Sequence, residues 1–295
     1  MNAISPPLDL LPHRPLAAPV AAMLREVAAA AQATGIAWFV GGASARDILL
    51  THVYDIEAIR ATADVDIGIS IQSWTGHDTL RNTLIASGHF AAPKHAIHRL
   101  DFSAPHTNER TWLDIVPFGG VQDERGEIAW PPDQSVRMNV AGFRQALDAA
   151  IRVRIAPDLV APVASLPAQA MLKIVAWQDR HASERKDAID LLFLMARYAQ
   201  TGQLDRLYSD AFDLVERHGH DPDIAGAALL GRDTAALAVG EVRAHLLAVL
   251  RVDDPAPPIL DHMLGTRLPV FDADTSERIA ALFDAFRQAF REAAP

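Results

Sequence analysis

An α+β fold is what this sequence predicts: a small mixed β-sheet with flanking helices in residues 1–165, then a helical C-terminal region in residues 166–295. Three observations carry that expectation. Short apolar runs at 36–40, 63–69 and 112–118 are rich in β-branched and aromatic residues and lie close to glycine, as strands do. Beyond Pro167 the apolar residues recur instead at helical spacing. Pro157, Pro162 and Pro167 crowd the change of character, and proline belongs at sheet edges and turns. A sheet-bearing half followed by a helical half is the α+β arrangement.

In order along the chain, residues 1–15 carry four prolines and read as an arm or docked extension. The Ala, Leu, Val and Met spacing of 16–34 suits a helix stopped by Gly35. Residues 36–40 form a short buried strand, 44–50 a helix, 51–62 an excursion and 63–69 a second strand. Residues 75–87 are amphipathic and end at Gly88; 95–102 alternate loosely as a strand. A clearer strand runs over 112–118 to Gly119-Gly120, and 151–155 and 160–164 are further candidates. Helices are expected at 168–180, 184–200, 204–217, 234–250 and 275–293, with the proline-rich 253–258 as a linker.

Composition narrows the class. Hydrophobic residues make up 50% and charged residues 22%, ordinary for a globular protein. Cysteine is absent, which removes disulfides and thiolate metal sites and fits a reducing, cytoplasmic setting. No apolar run approaches the roughly 18 residues that span a bilayer, so no membrane partner is expected. The Ala-rich stretch 16–33 contains Pro19, Arg25 and Glu26, which argues against a signal sequence. With 27 Lys and Arg against 37 Asp and Glu, the formal charge is −10. Extensive contact with long nucleic acid needs a basic face, so a small nucleotide, an RNA end or a protein acceptor fits better. The 12 histidines form no compact ligand set with carboxylates in sequence and read as solvated or capping residues.

The chemistry concentrates in the first two strands. Gly41-Gly42 closes the first strand and opens onto Ala43-Ser44-Ala45-Arg46-Asp47. Asp64-Val65-Asp66 then begins the next strand, where alternate residues share a face. Asp64 and Asp66 point one way while Val65, Ile67 and Ile69 point into a core. Two carboxylates on one face repel unless a proton or cation intervenes, and hard oxygen ligands suit Mg2+ with substrate phosphates. A glycine turn before a helix offers backbone N–H groups to those phosphates. Asp114 lies amid apolar neighbours on the 112–118 strand, where burial without partners is costly. Placing that strand beside the first pair of aspartates completes a three-carboxylate cluster. Further on, Lys173 and Arg180 lie two turns apart on one helix, while Asp187 and Asp190 neighbour each other on the next. Each feature alone has a plainer reading: a tight turn, a polar strand face, a snorkelling lysine, a helix-start aspartate. Their order on one chain favours a metal–nucleotide site.

Gly41-Gly42 with Ser44, then Asp64-x-Asp66, then Asp114 resembles the catalytic core of the DNA polymerase β-like nucleotidyltransferase superfamily. Lys173-x-x-Ala176-x-x-x-Arg180, followed by Lys186-Asp187-x-x-Asp190-Leu191, is similar to the later motifs of the AbiE-type toxins of abortive-infection, toxin–antitoxin systems. The resemblance spans roughly residues 36–191 and implies a nucleotidyltransferase core in 1–165. It implies transfer of NMP from an NTP to a hydroxyl of RNA, such as a tRNA 3′ end, or of protein. Two Mg2+ ions, with Mn2+ as a substitute, would be the cofactors, held by Asp64, Asp66 and Asp114. Gly41, Gly42 and Ser44 would hold the phosphates, Lys173 would support them, and Asp187 matches the last motif. A cognate antitoxin is the implied partner. The chain also resembles tRNA CCA-adding enzymes and bacterial poly(A) polymerases, but here Arg46-Asp47 sits one residue further from the glycines. Nothing downstream matches their base-selecting motif. A catalytically silent nucleotide-binding module is the third reading, weakened by the intact carboxylates.

Overall fold

The computed structural model describes residues 6–58, 64–93, 96–104, 110–251, 253–264 and 275–293. The chain divides into two compact units, 1–165 and 166–295. The expected His95 strand start and Ala63 lie outside the described residues.

In chain order the first unit begins with β1 (Leu8–Asp9), α1 (Ala18–Thr34), β2 (Ala37–Gly41) and α2 (Gly42–Asp47). β3 (Asp64–Ile71), α3 (Trp74–Ala86), β4 (Phe90–Ala91), β5 (Arg99–Ser103) and β6 (Arg110–Gly119) follow. The unit closes with β7 (Glu127–Ala129), β8 (Arg137–Asn139), α4 (Phe143–Asp148), β9 (Ile151–Ala156) and β10 (Leu159–Val163). The fold is α+β, with a mixed sheet flanked by helices. Among the described residues the main sheet has the order β1-β9-β10-β2-β3-β6-β5-β4, and β7 and β8 pair separately. β2 runs antiparallel to β3, β3 parallel to β6, and β6 antiparallel to β5.

Local chemistry accounts for the main elements. Gly35 ends α1 in a left-handed conformation, and its N–H caps the Ala31 and Gln32 carbonyls. In β3 the side chains of Val65, Ile67 and Ile69 are at most 1% exposed, while Asp64 and Asp66 are half-buried on the other face. Each such buried aliphatic side chain contributes roughly 1.5–3 kcal/mol. Further along the aspartate face, Phe39, Phe118 and Phe143 pack with ring centroids 5.8–6.0 Å apart, fastening α4 over that side of the sheet.

Some details choose between the expected alternatives and others depart from expectation. The N-terminal arm is docked: β1 pairs in parallel with β9, and the Leu11 N–H donates to the His52 carbonyl at 2.7 Å. α2 begins at Gly42 rather than Ser44 and passes into a π-helical turn over Ile48–Val53. β4, the β7–β8 hairpin and α4 are too short to carry a readable period.

The second unit comprises α5 (Leu166–Arg180), α6 (Lys186–Arg197), α7 (Leu204–Leu207), α8 (Phe212–Arg217), α9 (Pro222–Leu237), α10 (Gly240–Leu250), α11 (Pro258–Leu264) and α12 (Thr275–Glu292). The helix expected over 204–217 is two short ones, and the one expected over 234–250 breaks at Gly240, which has φ +57°. α9 starts earlier, at Pro222, where the Asp221 side chain accepts from the Asp223 and Ile224 N–H groups. The proline-rich linker ends as the first turn of α11.

α9 and α12 form the core of this unit. Buried Ala225, Ala227, Ala228 and Gly231 on α9 let Phe283, Phe286 and Phe290 of α12 approach. A Cβ at Gly231 would overlap the Phe286 backbone carbonyl. Gly231→Ala should therefore lower stability by about 1–3 kcal/mol despite its better helix propensity, measured by urea unfolding. An unchanged or raised midpoint would show that the two helices do not meet as closely as described.

Candidate active site

The register of three strands builds the site. β3 and β6 run in parallel with Asp66 opposite Asp114 and Asp64 opposite Trp112. Antiparallel pairing of β2 with β3 sets Gly41 opposite Asp66. Each of Asp64, Asp66 and Asp114 thereby offers a carboxylate oxygen within 4.8 Å of the others. Among the described residues this is the only group of three or more His, Cys, Asp or Glu side chains so placed.

The glycine turn is fitted to the same carboxylates. Gly42 has φ +58°, and a Cβ there would overlap the Asp66 carboxylate. Glycine is required twice over at this position, by backbone conformation and by space. Ser44 is buried, and its hydroxyl donates to the Asp64 carbonyl at 2.7 Å, tying α2 to the start of β3. Arg46 is 1% exposed and pairs with Asp47 at 2.7 Å. This intrahelical pair buries Arg46 deeply and leaves Asp47 half-buried.

Arg99 on β5 was not legible as a site residue. It lies opposite Asp114, and its Nε and one terminal nitrogen donate to the two Asp114 oxygens at 2.7 and 2.6 Å. Its guanidinium sits 5.1 Å from the Trp112 ring centroid. The hydrogen bond to Asp114 raises the Arg99 pKa, and Asp64 and Asp66 add to the effect through space. Only the β5–β6 register brings Arg99 here, and no spacing in the sequence announces it.

The second unit holds a separate charge cluster. Lys173 donates to Asp187 at 2.9 Å and pairs with Asp190 at 2.6 Å. Arg180 grips both Asp187 oxygens at 2.6 and 2.9 Å. Both aspartates are fully buried, so removing either cation would strand a buried charge. Burial pushes the Asp187 carboxyl up, but Arg180 and Lys173 more than offset it and hold it at about 2. Burial likewise lowers Lys173, and the attraction of Asp190 and Asp187 outweighs it, keeping the ammonium charged.

The family model for the nucleotidyl transferase AbiEii toxin of type IV toxin–antitoxin systems matches residues 23–294. The chain belongs to the AbiEii nucleotidyltransferase family. No curated protein matches this AbiEii chain. It is similar to several solved structures at low identity. The antibiotic-resistance factor ANT(2″)-Ia aligns at 15% identity and TM-score 0.35, over 68% of this chain and 97% of that one. An antigenic nucleotidyltransferase-like protein from Paracoccidioides brasiliensis aligns at 15% identity and TM-score 0.40, over 67% and 91%. A Thermotoga maritima CCA-adding enzyme complexed with tRNA aligns at 12% identity and TM-score 0.23, over 91% and 80%. The assignment to the AbiEii family rests on the family match. No helix among the described residues is long and apolar enough to cross a membrane.

The donor set fits a divalent metal. Three carboxylates converge, all candidate ligands are hard oxygens, and the missing side chain at Gly42 makes room for the Asp66 carboxylate.

The Asp187 cluster makes a pH prediction. Its carboxyl titrates at about 2 when folded, against an ordinary 3.8. Its stabilisation is therefore complete above pH 4 and is lost as pH falls toward 2, a change of roughly 2 kcal/mol. Urea unfolding of wild type and Asp187→Asn at pH 7 and pH 2.5 should show the stability gap narrowing by that amount. A constant gap would mean that Asp187 is not held ionised by its cations.

Proposed function

We propose that this chain transfers a nucleoside monophosphate from an NTP to a hydroxyl of RNA, with a tRNA 3′ end or a protein as the acceptors to test, acting as the toxin of a toxin–antitoxin pair. The observation that carries this reading is the convergence of Asp64, Asp66 and Asp114 beside the Gly42 turn. Family membership supports the toxin role and a cognate antitoxin as partner.

The residues divide the work by position. Asp64 and Asp66 lie nearest the glycine turn and would hold the triphosphate through Mg2+. Gly41 and Gly42 present backbone to the phosphates without side-chain obstruction, and Ser44 braces that turn against β3. Asp114, on the neighbouring strand, faces the acceptor. The acceptor oxygen attacks the α-phosphorus, the bond from that phosphorus to the β-bridging oxygen breaks, and pyrophosphate leaves. Asp114 or water takes the hydroxyl proton. Two Mg2+ ions, or Mn2+, on the three aspartates would neutralise charge on the phosphates and lower the pKa of the attacking hydroxyl. Lys173, held between Asp187 and Asp190, is assigned to phosphate support by the motif it shares with the AbiE-type toxins, and Asp187 to keeping it in place.

Asp66→Asn removes charge without volume and should lower transfer at least about a hundredfold, as loss of a charge-stabilising group in a transferase site does. Lys173→Ala should cost less. Pyrophosphate release and label transfer, with each of the four NTPs, Mg2+ and total RNA or protein extract, give the readout. Near-normal turnover by Asp66→Asn would remove the assignment. NTP binding by calorimetry should also require Mg2+ and the γ-phosphate, because the cation offsets repulsion from Asp64 and Asp66.

A further inference from the structure

Beyond the aspartates, the same face of the sheet changes its chemistry along β6 and β5. Alternate residues of a strand share a face, so Arg110, Trp112 and Asp114 line up on β6. Asp101 and Arg99 of β5 lie opposite Trp112 and Asp114, and Ser103 lies opposite Arg110. Arg110 is exposed and Trp112 half-buried. The Arg99 side chain is 32% exposed, and its guanidinium lies over the Trp112 ring. Its Nε and one terminal nitrogen are committed to Asp114; among the described residues the other terminal nitrogen meets no acceptor. Because the group is planar, that nitrogen points away from the carboxylate. A guanidinium held by two hydrogen bonds against an indole is a rigid flat surface. Unpaired RNA bases stack on such arginine planes and on aromatic rings. Asp101 is exposed opposite Trp112 and repels a phosphate there, which leaves Arg110 as the seat for one. The four residues from Asp114 to Arg110 cover about 13 Å of strand, the reach of a nucleotide and the phosphate before it.

Taking the triad as the nucleotidyl-transfer site, we propose that Arg99, Trp112 and Arg110 hold the unpaired end of an RNA acceptor. The last base stacks on the Trp112–Arg99 pair, and Arg110 takes the phosphate that precedes it. The terminal hydroxyl is thereby brought to Asp114. The three residues position the acceptor and select it. A protein hydroxyl brings no base to the stack, and a base paired in a duplex end is not free to enter it.

Fluorescence anisotropy of a short single-stranded oligoribonucleotide, labelled at its 5′ end, tests this on the full chain without NTP or metal. A second probe is the same oligonucleotide with an abasic 3′ residue. Wild type should bind the complete oligonucleotide at least about fivefold tighter than the abasic one, the worth of one stacked base. Trp112→Ala should erase that preference and Trp112→Phe should keep most of it. Arg110→Gln should weaken both probes alike and lower the slope of log affinity against log salt by about 0.7, as for one phosphate contact. Arg25→Gln, which removes an exposed arginine of α1 paired with Asp158, should weaken neither. Circular dichroism checks that each variant folds; if Trp112→Ala does not, the wild-type preference and the exposed Arg110 variant still decide. Equal wild-type affinity for the two probes would overturn the proposal, as would an unchanged salt slope in Arg110→Gln. Asp66→Asn should lose label transfer yet keep oligonucleotide binding, so failure of the transferase reading and failure of this one are told apart.

Discussion

Everything at the site depends on the parallel register of β3 and β6. Opposite residues on adjacent strands share a face, so Asp66 and Asp114 converge only because they are direct partners. A slip of one residue would turn Asp114 to the other face and bring Leu113 or Ile115 in its place. The register is held by burial on both faces. Val65, Ile67, Leu113 and Ile115 pack on one side, while Phe39 and Phe118 pack beyond the aspartates on the other. Side-chain packing thus fixes the position of polar groups that would otherwise drive the strands apart.

Charge compensation recurs in both units, with different geometry. At the triad, the Arg99 guanidinium grips both oxygens of Asp114, with Asp64 and Asp66 acting on it only through space. In the helical unit, Lys173 and Arg180 meet Asp187 and Asp190 two against two, and both carboxylates can be buried completely. A balanced cluster acts as a cross-link between α5 and α6.

Much of the fold was legible because its longer elements carry a strong period or a clear stop. α1 ends at Gly35, β3 alternates aspartate with aliphatic residues, and α5 and α6 show broad apolar stripes. The misses have a common cause. β4, β7, β8 and α4 are shorter than the period that would reveal them. α7 and α8 were joined because the apolar spacing continues across the break. Gly240 was absorbed into a helix because a lone glycine weakens a helix without ending it; its positive φ is a local backbone state that spacing does not reveal.

By itself the sequence singled out the candidate residues: Gly42 at a strand end, aspartates two apart at 64 and 66, Asp114 alone in an apolar strand, and Lys173 and Arg180 a helical interval from Asp187 and Asp190. Local periodicity settles which way a side chain faces along its own strand or helix, and spacing needs nothing more. Only the tertiary structure decided which strand lies beside which and in what register. That choice set Gly41 against Asp66, made a carboxylate at Gly42's missing Cβ, and put Arg99 across from Asp114 with Trp112 behind it. Strand pairing is a long-range contact whose partner is selected by packing over the whole sheet, so no stretch of sequence around Arg99 contains it.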